Sequence, residues 1–226
     1  MSTWISEHRP RALLAGVLAL VLAGCGTTGA EPEVVRSVTL YGGDVVVAGP
    51  PGYCIDGARV RRGASGGFVL LASCDSLTGA DTAAAAPAVM TVSVLPRQGQ
   101  TAPRSDQIAA SVAPAKALDR SDRDGLALVR VSEGGDAELP GGDPRYWRGG
   151  MSVNGHLIGL AVYGPAGSDI AGTGGRRLAE SLAARIRTAS PDEPVATGGE
   201  EEATGPASPR SGGLGGLLDA LFPNQG

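Results

Sequence analysis

Few residues of this chain could do chemistry. Two histidines and three cysteines stand among 226 residues, so the spacing around them limits what is open. Ser65 lies in Gly63-Ala64-Ser65-Gly66-Gly67, which fits the G-x-S-x-G pattern of a serine nucleophile held on a strand-to-helix turn. With an acid and His156 further along, the order would suit a serine hydrolase. The pattern needs a helix after the serine, whereas Phe68-Val69-Leu70-Leu71-Ala72-Ser73 reads as a strand; a hairpin turn is therefore expected, and 36 glycines make a chance match easy. Gly172-Thr173-Gly174-Gly175 could offer backbone N–H groups to an anion at a helix start. A dinucleotide fingerprint would need a glycine where Arg177 stands, and no Gly-Lys-Ser/Thr ending follows, so a flexible loop entering a helix is expected. Tyr146, Trp147 and His156 flank Asn154-Gly155 and could form an aromatic platform for a glycan or small ligand. Such a platform requires a partly exposed Trp147; in a chain with so few aromatics, core packing is the competing expectation.

The third cysteine has a different setting. Arg9 and Arg11 precede an apolar stretch from Ala12 to Ala23, and small residues lead into Cys25, which matches a secretory signal. The stretch falls short of the ~20 apolar residues of a transmembrane helix. Leu22-Ala23-Gly24-Cys25 resembles the lipobox of bacterial lipoproteins. The resemblance implies cleavage before Cys25, a diacylated thiol and an acylated new amino terminus. At ~0.8 kcal/mol per buried methylene, several acyl chains would hold the protein on a membrane. Gly26 in place of an aspartate implies the outer membrane, facing the periplasm, where the source has two membranes. An ordinary signal peptide with a chance cysteine is the alternative.

Removing residues 1–24 takes away Arg9, Arg11 and Glu7, so the 19 basic and 23 acidic side chains fall to 17 and 22. An acidic chain of this kind is not expected to bind nucleic acid. Lys116 is the only lysine, and the abundance of alanine, glycine and arginine reads as coding bias rather than phosphate binding. Cys54 and Cys74 are an even pair which, after export, most simply form a disulfide. Closing that loop would stabilise the fold by ~3 kcal/mol in the chain-entropy model. A metal site is the alternative, but neither cysteine has a C-x-x-C partner or a nearby histidine, so no metal or cofactor is expected.

These residues must be positioned by a domain expected over 34–189, after a lipidated cysteine and tether at 25–33. Strands are expected at Val34 to Tyr41, Asp44 to Ala48, Ala58 to Arg62, Phe68 to Ser73, Ala88 to Leu95, Leu126 to Val131, Tyr146 to Val153 and His156 to Tyr163. Asn154-Gly155 predicts a type I′ hairpin, and Ile158, Leu160 and Val162 should share its core face. Leu178, Leu182 and Ile186, with Ala179 and Ala183, predict an amphipathic helix from Gly175 to Thr188 that Ser190-Pro191 stops. A weaker helix is expected over Ser105 to Val112. The expected class is α+β, mostly antiparallel, with helices packed on a sheet.

The order of hairpin, Gly/Pro loop and terminal helix from Trp147 to Leu182 is similar to the ending of PsbP-like domains. That resemblance lies in topology and implies binding or assembly rather than turnover; it carries no site residue with it.

Residues 190–211 are rich in Gly, Ser, Pro and Glu, with no periodicity, and read as a disordered linker. In the last segment, 212–226, Leu214, Leu217, Leu218 and Leu221 have i, i+3, i+4, i+7 spacing with Phe222 beside them. An apolar tip on a polar tether suits docking into a partner's groove; docking on its own domain and membrane contact are the alternatives. The expected function is that of a non-enzymatic, membrane-anchored envelope lipoprotein whose tail recruits an envelope protein. A small-ligand or glycan-binding lipoprotein is the second expectation, and a Ser65 hydrolase the third.

Overall fold

Alternation of apolar and polar residues accounts for most of the strands. Val89-Met90-Thr91-Val92-Ser93-Val94 buries Met90, Val92 and Val94 on one face and leaves its other three side chains half-buried. The computed structural model describes residues 34–80, 85–99 and 101–192. Its strands are β1 (Val34–Val35), β2 (Ser37–Leu40), β3 (Val45–Ala48), β4 (Tyr53–Asp56), β5 (Arg61–Gly63), β6 (Gly66–Ser73), β7 (Val89–Val94), β8 (Ala117–Arg123), β9 (Leu126–Val131), β10 (Tyr146–Val153) and β11 (His156–Tyr163). Its helices are α1 (Cys74–Thr78), α2 (Ser105–Ser111), α3 (Gly135–Glu138) and α4 (Thr173–Ala189).

The main sheet runs β1-β4-β6-β7-β11-β10-β9-β8, with β5 also on β6, and every pairing is antiparallel. β2 and β3 form a separate hairpin. One face of the sheet, including Ile55, Leu71, Met90, Val92, Ile158, Leu160 and Trp147, packs on that hairpin and on Ala179, Leu182, Ala183 and Ile186 of α4. The alternate residues Ala127, Val129, Val131, Tyr146, Leu157 and Ala161 pack on the other face with Ile108 of α2. The class is α+β, a large antiparallel sheet with helices on both faces.

Local chemistry explains the turns and caps. Asn154 and Gly155 have φ of 49° and 76°, the two positive values that a type I′ turn requires between β10 and β11. Asp124 and Gly125 repeat this between β8 and β9, at 50° and 68°. Ser105, at the start of α2, donates its N–H and hydroxyl to Asp122 of β8 at 2.8 and 2.6 Å, which pins the helix to the edge strand. Those bonds hold the Asp122 carboxyl below its ordinary pKa. Gly150 lets the chain entering α2 lie on β10, since a Cβ there would come within 2.4 Å of Pro103.

Several elements differ from the expected ones. The first expected strand divides at Arg36 into β1 and β2, because β1 pairs with β4 and β2 with β3. Gly57–Arg59 is a 3-10 turn capped by Asp56, so the strand expected from Ala58 begins at Arg61. β4, β8, α1 and α3 lie outside every expected element. Cys54 of β4 and Cys74 of α1 form a disulfide with their Cα atoms 4.9 Å apart.

Candidate functional site

The expected site residues within the described part of the chain fall in separate places. Ser65 sits in the tight turn between β5 and β6, and β6 follows directly from Gly66. The strand-turn-helix geometry of a nucleophile elbow is therefore not formed there. Gly172 caps α4, and Gly174 and Gly175 lie in its first turn and serve packing: a Cβ on Gly175 would lie 2.0 Å from the Ile170 carbonyl oxygen and 2.8 Å from Trp147. Thr173 and Arg177 both bond the Asp169 carboxylate, at 3.2 and 3.3 Å, so a carboxylate of the chain itself faces the positive end of the helix.

The aromatic platform expected at Tyr146, Trp147 and His156 does not form. Trp147 is 2% exposed in the core and donates its indole N–H to Gly172 O at 2.8 Å. Tyr146 points to the opposite face of β10, stacked on Tyr163 at 5.1 Å. His156 pairs with Val153 at the far end of the hairpin, six residues and so ~20 Å along the strand from Trp147. Neighbours in sequence alternate faces, and a hairpin separates its start from its tip. Cys25, Leu214, Leu217, Leu218, Leu221 and Phe222 lie outside the described residues.

His156 anchors a buried polar cluster instead. Its ring is 2% exposed and stacks on Tyr41 at 4.4 Å. Nδ1 lies 2.8 Å from Leu95 O and Nε2 lies 3.2 Å from an Asp44 carboxylate oxygen. Both ring nitrogens therefore lie against oxygens of the protein itself. Arg97 bonds the same Asp44 oxygen, Tyr41 donates to Val94 O at 3.0 Å, and Asn154 donates to Asp44 O and Pro191 O at 2.8 and 3.0 Å. The cluster locks the hairpin tip, the loop after β7 and the end of α4 together.

At the other end of the sheet, Asp143 does the same for two loops. It accepts two side-chain bonds from Arg145, both 2.8 Å, and the N–H of Gly167 at 3.1 Å. The guanidinium bonds, foremost, hold its carboxyl well below the ordinary range.

The open chemistry lies on the face opposite α4. α2 packs over β8, β9 and β10, and no helix of the described residues packs across Phe68, Leu70, Val89 and Thr91. These half-buried side chains, with Tyr163, floor a hollow of about 410 Å³ walled by Arg59, Arg61 and Glu138. Glu138 also lines an adjoining hollow of about 390 Å³ that contains Tyr146 and Arg148. Together they make a trough, each half within the ~300–1,000 Å³ of ligand sites. Arg148 lies 5.6 Å above the Tyr146 ring, and burial raises the Tyr146 and Tyr163 pKa values above the ordinary tyrosine range, leaving neutral phenols on the floor. Sequence reading passed over Phe68, Leu70, Arg59, Arg61, Arg148 and Tyr163 because only strand order brings them together.

Among the described residues, no group of three or more His, Cys, Asp or Glu side chains is placed to hold a metal ion, and no helix is long and apolar enough to cross a membrane. Fold and site thus define an α+β domain with an amphipathic trough on one sheet face. No family model, curated protein or solved structure matches the chain.

Proposed function

We propose that the chain is a membrane-anchored accessory lipoprotein of a bacterial cell envelope, non-enzymatic and without a cofactor. Acyl chains on Cys25 hold it at the membrane, and the tail ending in Leu214, Leu217, Leu218, Leu221 and Phe222 recruits an envelope protein. In a two-membrane cell its place is the outer membrane, facing the periplasm. The observation that carries the reading is the Cys54–Cys74 disulfide, because such bridges persist in oxidising compartments outside the cytosol. The engagement of both His156 nitrogens by oxygens of the protein itself favours binding over turnover.

The test compares the lipidated full chain with one truncated after Ser211, each used to capture proteins from detergent-solubilised envelopes. Capture of a protein by the full chain alone supports recruitment by the tail; identical captures overturn it. Mass spectrometry of the Cys25 peptide tests the anchor separately, with a diacylglyceryl adduct expected on the thiol.

A further inference from the structure

Two features of the chain match each other. The trough is a sheet face with an apolar floor of Phe68, Leu70, Val89 and Tyr163, no helix of the described residues across it, and Arg59, Arg61 and Arg148 on its walls against Glu138. The tail holds an apolar stripe that a short helix would gather on one side. We propose that Leu214 to Phe222 dock as that helix in the trough of the same molecule, so that the recruiting segment is sheathed on its own domain until a partner displaces it. The inference builds on the tail's proposed role in docking and adds its regulation.

Size, charge and reach agree. Nine residues make a helix ~14 Å long, and the trough runs from β6 across β7 and β11 to β10, three inter-strand spacings or ~14 Å. Residues 193–226 carry Glu193, Glu200, Glu201, Glu202 and Asp219 against Arg210 alone, which complements the arginine walls. Twenty-one residues separate Asp192 from Leu214, a reach of up to ~70 Å, against a radius of gyration of ~15 Å for a domain of this length. A helix this short is marginal in water and needs a surface to form on. Tethering supplies an effective concentration in the ~mM range, which favours the cis site over a weak partner.

The experiment places the photo-cross-linker p-benzoylphenylalanine at Phe68 in one full-length variant and at Thr91 in another, each mixed with an isotopically labelled copy. Cross-links to residues 212–226 within the same copy are expected at both positions, and are expected to be lost when Leu214→Asp and Leu218→Asp are combined. Cross-links between labelled and unlabelled copies, cross-links to detergent or lipid only, or none from either position would overturn the proposal. So would survival of the cis cross-link in the double variant. Envelope capture is read separately: a cis cross-link with no captured partner supports the docking while removing the recruiting role, and capture with no cis cross-link does the reverse.

Discussion

At the scale of single residues, burial decides which polar contacts matter. Asp44 is 6% exposed and faces both His156 and Arg97, so Asp44→Ala takes the partner from a buried ring nitrogen and a guanidinium and should destabilise the fold by about 3 kcal/mol. Arg97 is 41% exposed by side chain and can turn to water, so Arg97→Ala should cost under ~1 kcal/mol; urea unfolding of both variants checks the ratio. Asp143 gives a pH signature. Its folded pKa is depressed, so its contribution is whole above the unfolded carboxyl value of ~3.9 and drains away as pH falls towards the lower folded value. Asp143→Asn should therefore cost ~1–2 kcal/mol at neutral pH, the exposed part of Arg145 limiting the figure. Unfolding curves of the two proteins should converge on acidification below ~pH 4. Gly175→Ala drives a methyl into the Ile170 carbonyl and the Trp147 ring and should cost ~1–3 kcal/mol, read as a lower Tm with quenched or shifted indole fluorescence.

At the scale of elements, local signals were legible wherever one residue type suffices. Asn154-Gly155 announces its hairpin because positive φ is needed twice, and the Leu178, Leu182, Ile186 stripe announces α4. Asp124-Gly125 carries the same turn signal between β8 and β9, yet β8 escapes notice because Asp119, Arg120, Asp122 and Arg123 hide any apolar alternation. Those charges suit an edge strand, where they oppose pairing with other chains. β4 is four residues long and reads as part of a loop, although it carries half of the disulfide. Reduction of that bridge, which closes a separation of 20 residues, should lower stability by ~3 kcal/mol. Thermal unfolding with and without reductant measures it, and a Cys54→Ala/Cys74→Ala variant should reproduce the reduced value.

At the scale of the whole molecule, the envelope reading predicts that Cys25→Ala moves the protein from the membrane fraction to the soluble fraction, as fractionation and immunoblotting would show. Retention in the membrane would count against lipid anchoring. The candidate site shows where sequence reading stops. Tyr146, Trp147 and His156 lie close together in sequence, but the fold sends them to two faces and two ends of one hairpin. Asp44 and His156, which do meet, are 112 residues apart. What the sequence by itself determined was local: alternation, turn chemistry, one firm helical stripe and the pairing of two cysteines, all set by backbone sterics and nearest-neighbour periodicity. Strand order, the face on which each helix packs, and hence the buried His156 cluster and the open trough, were decided only in the tertiary structure. Those follow from which apolar faces cover one another across long stretches of chain, a contest among non-local contacts that no short window of sequence records.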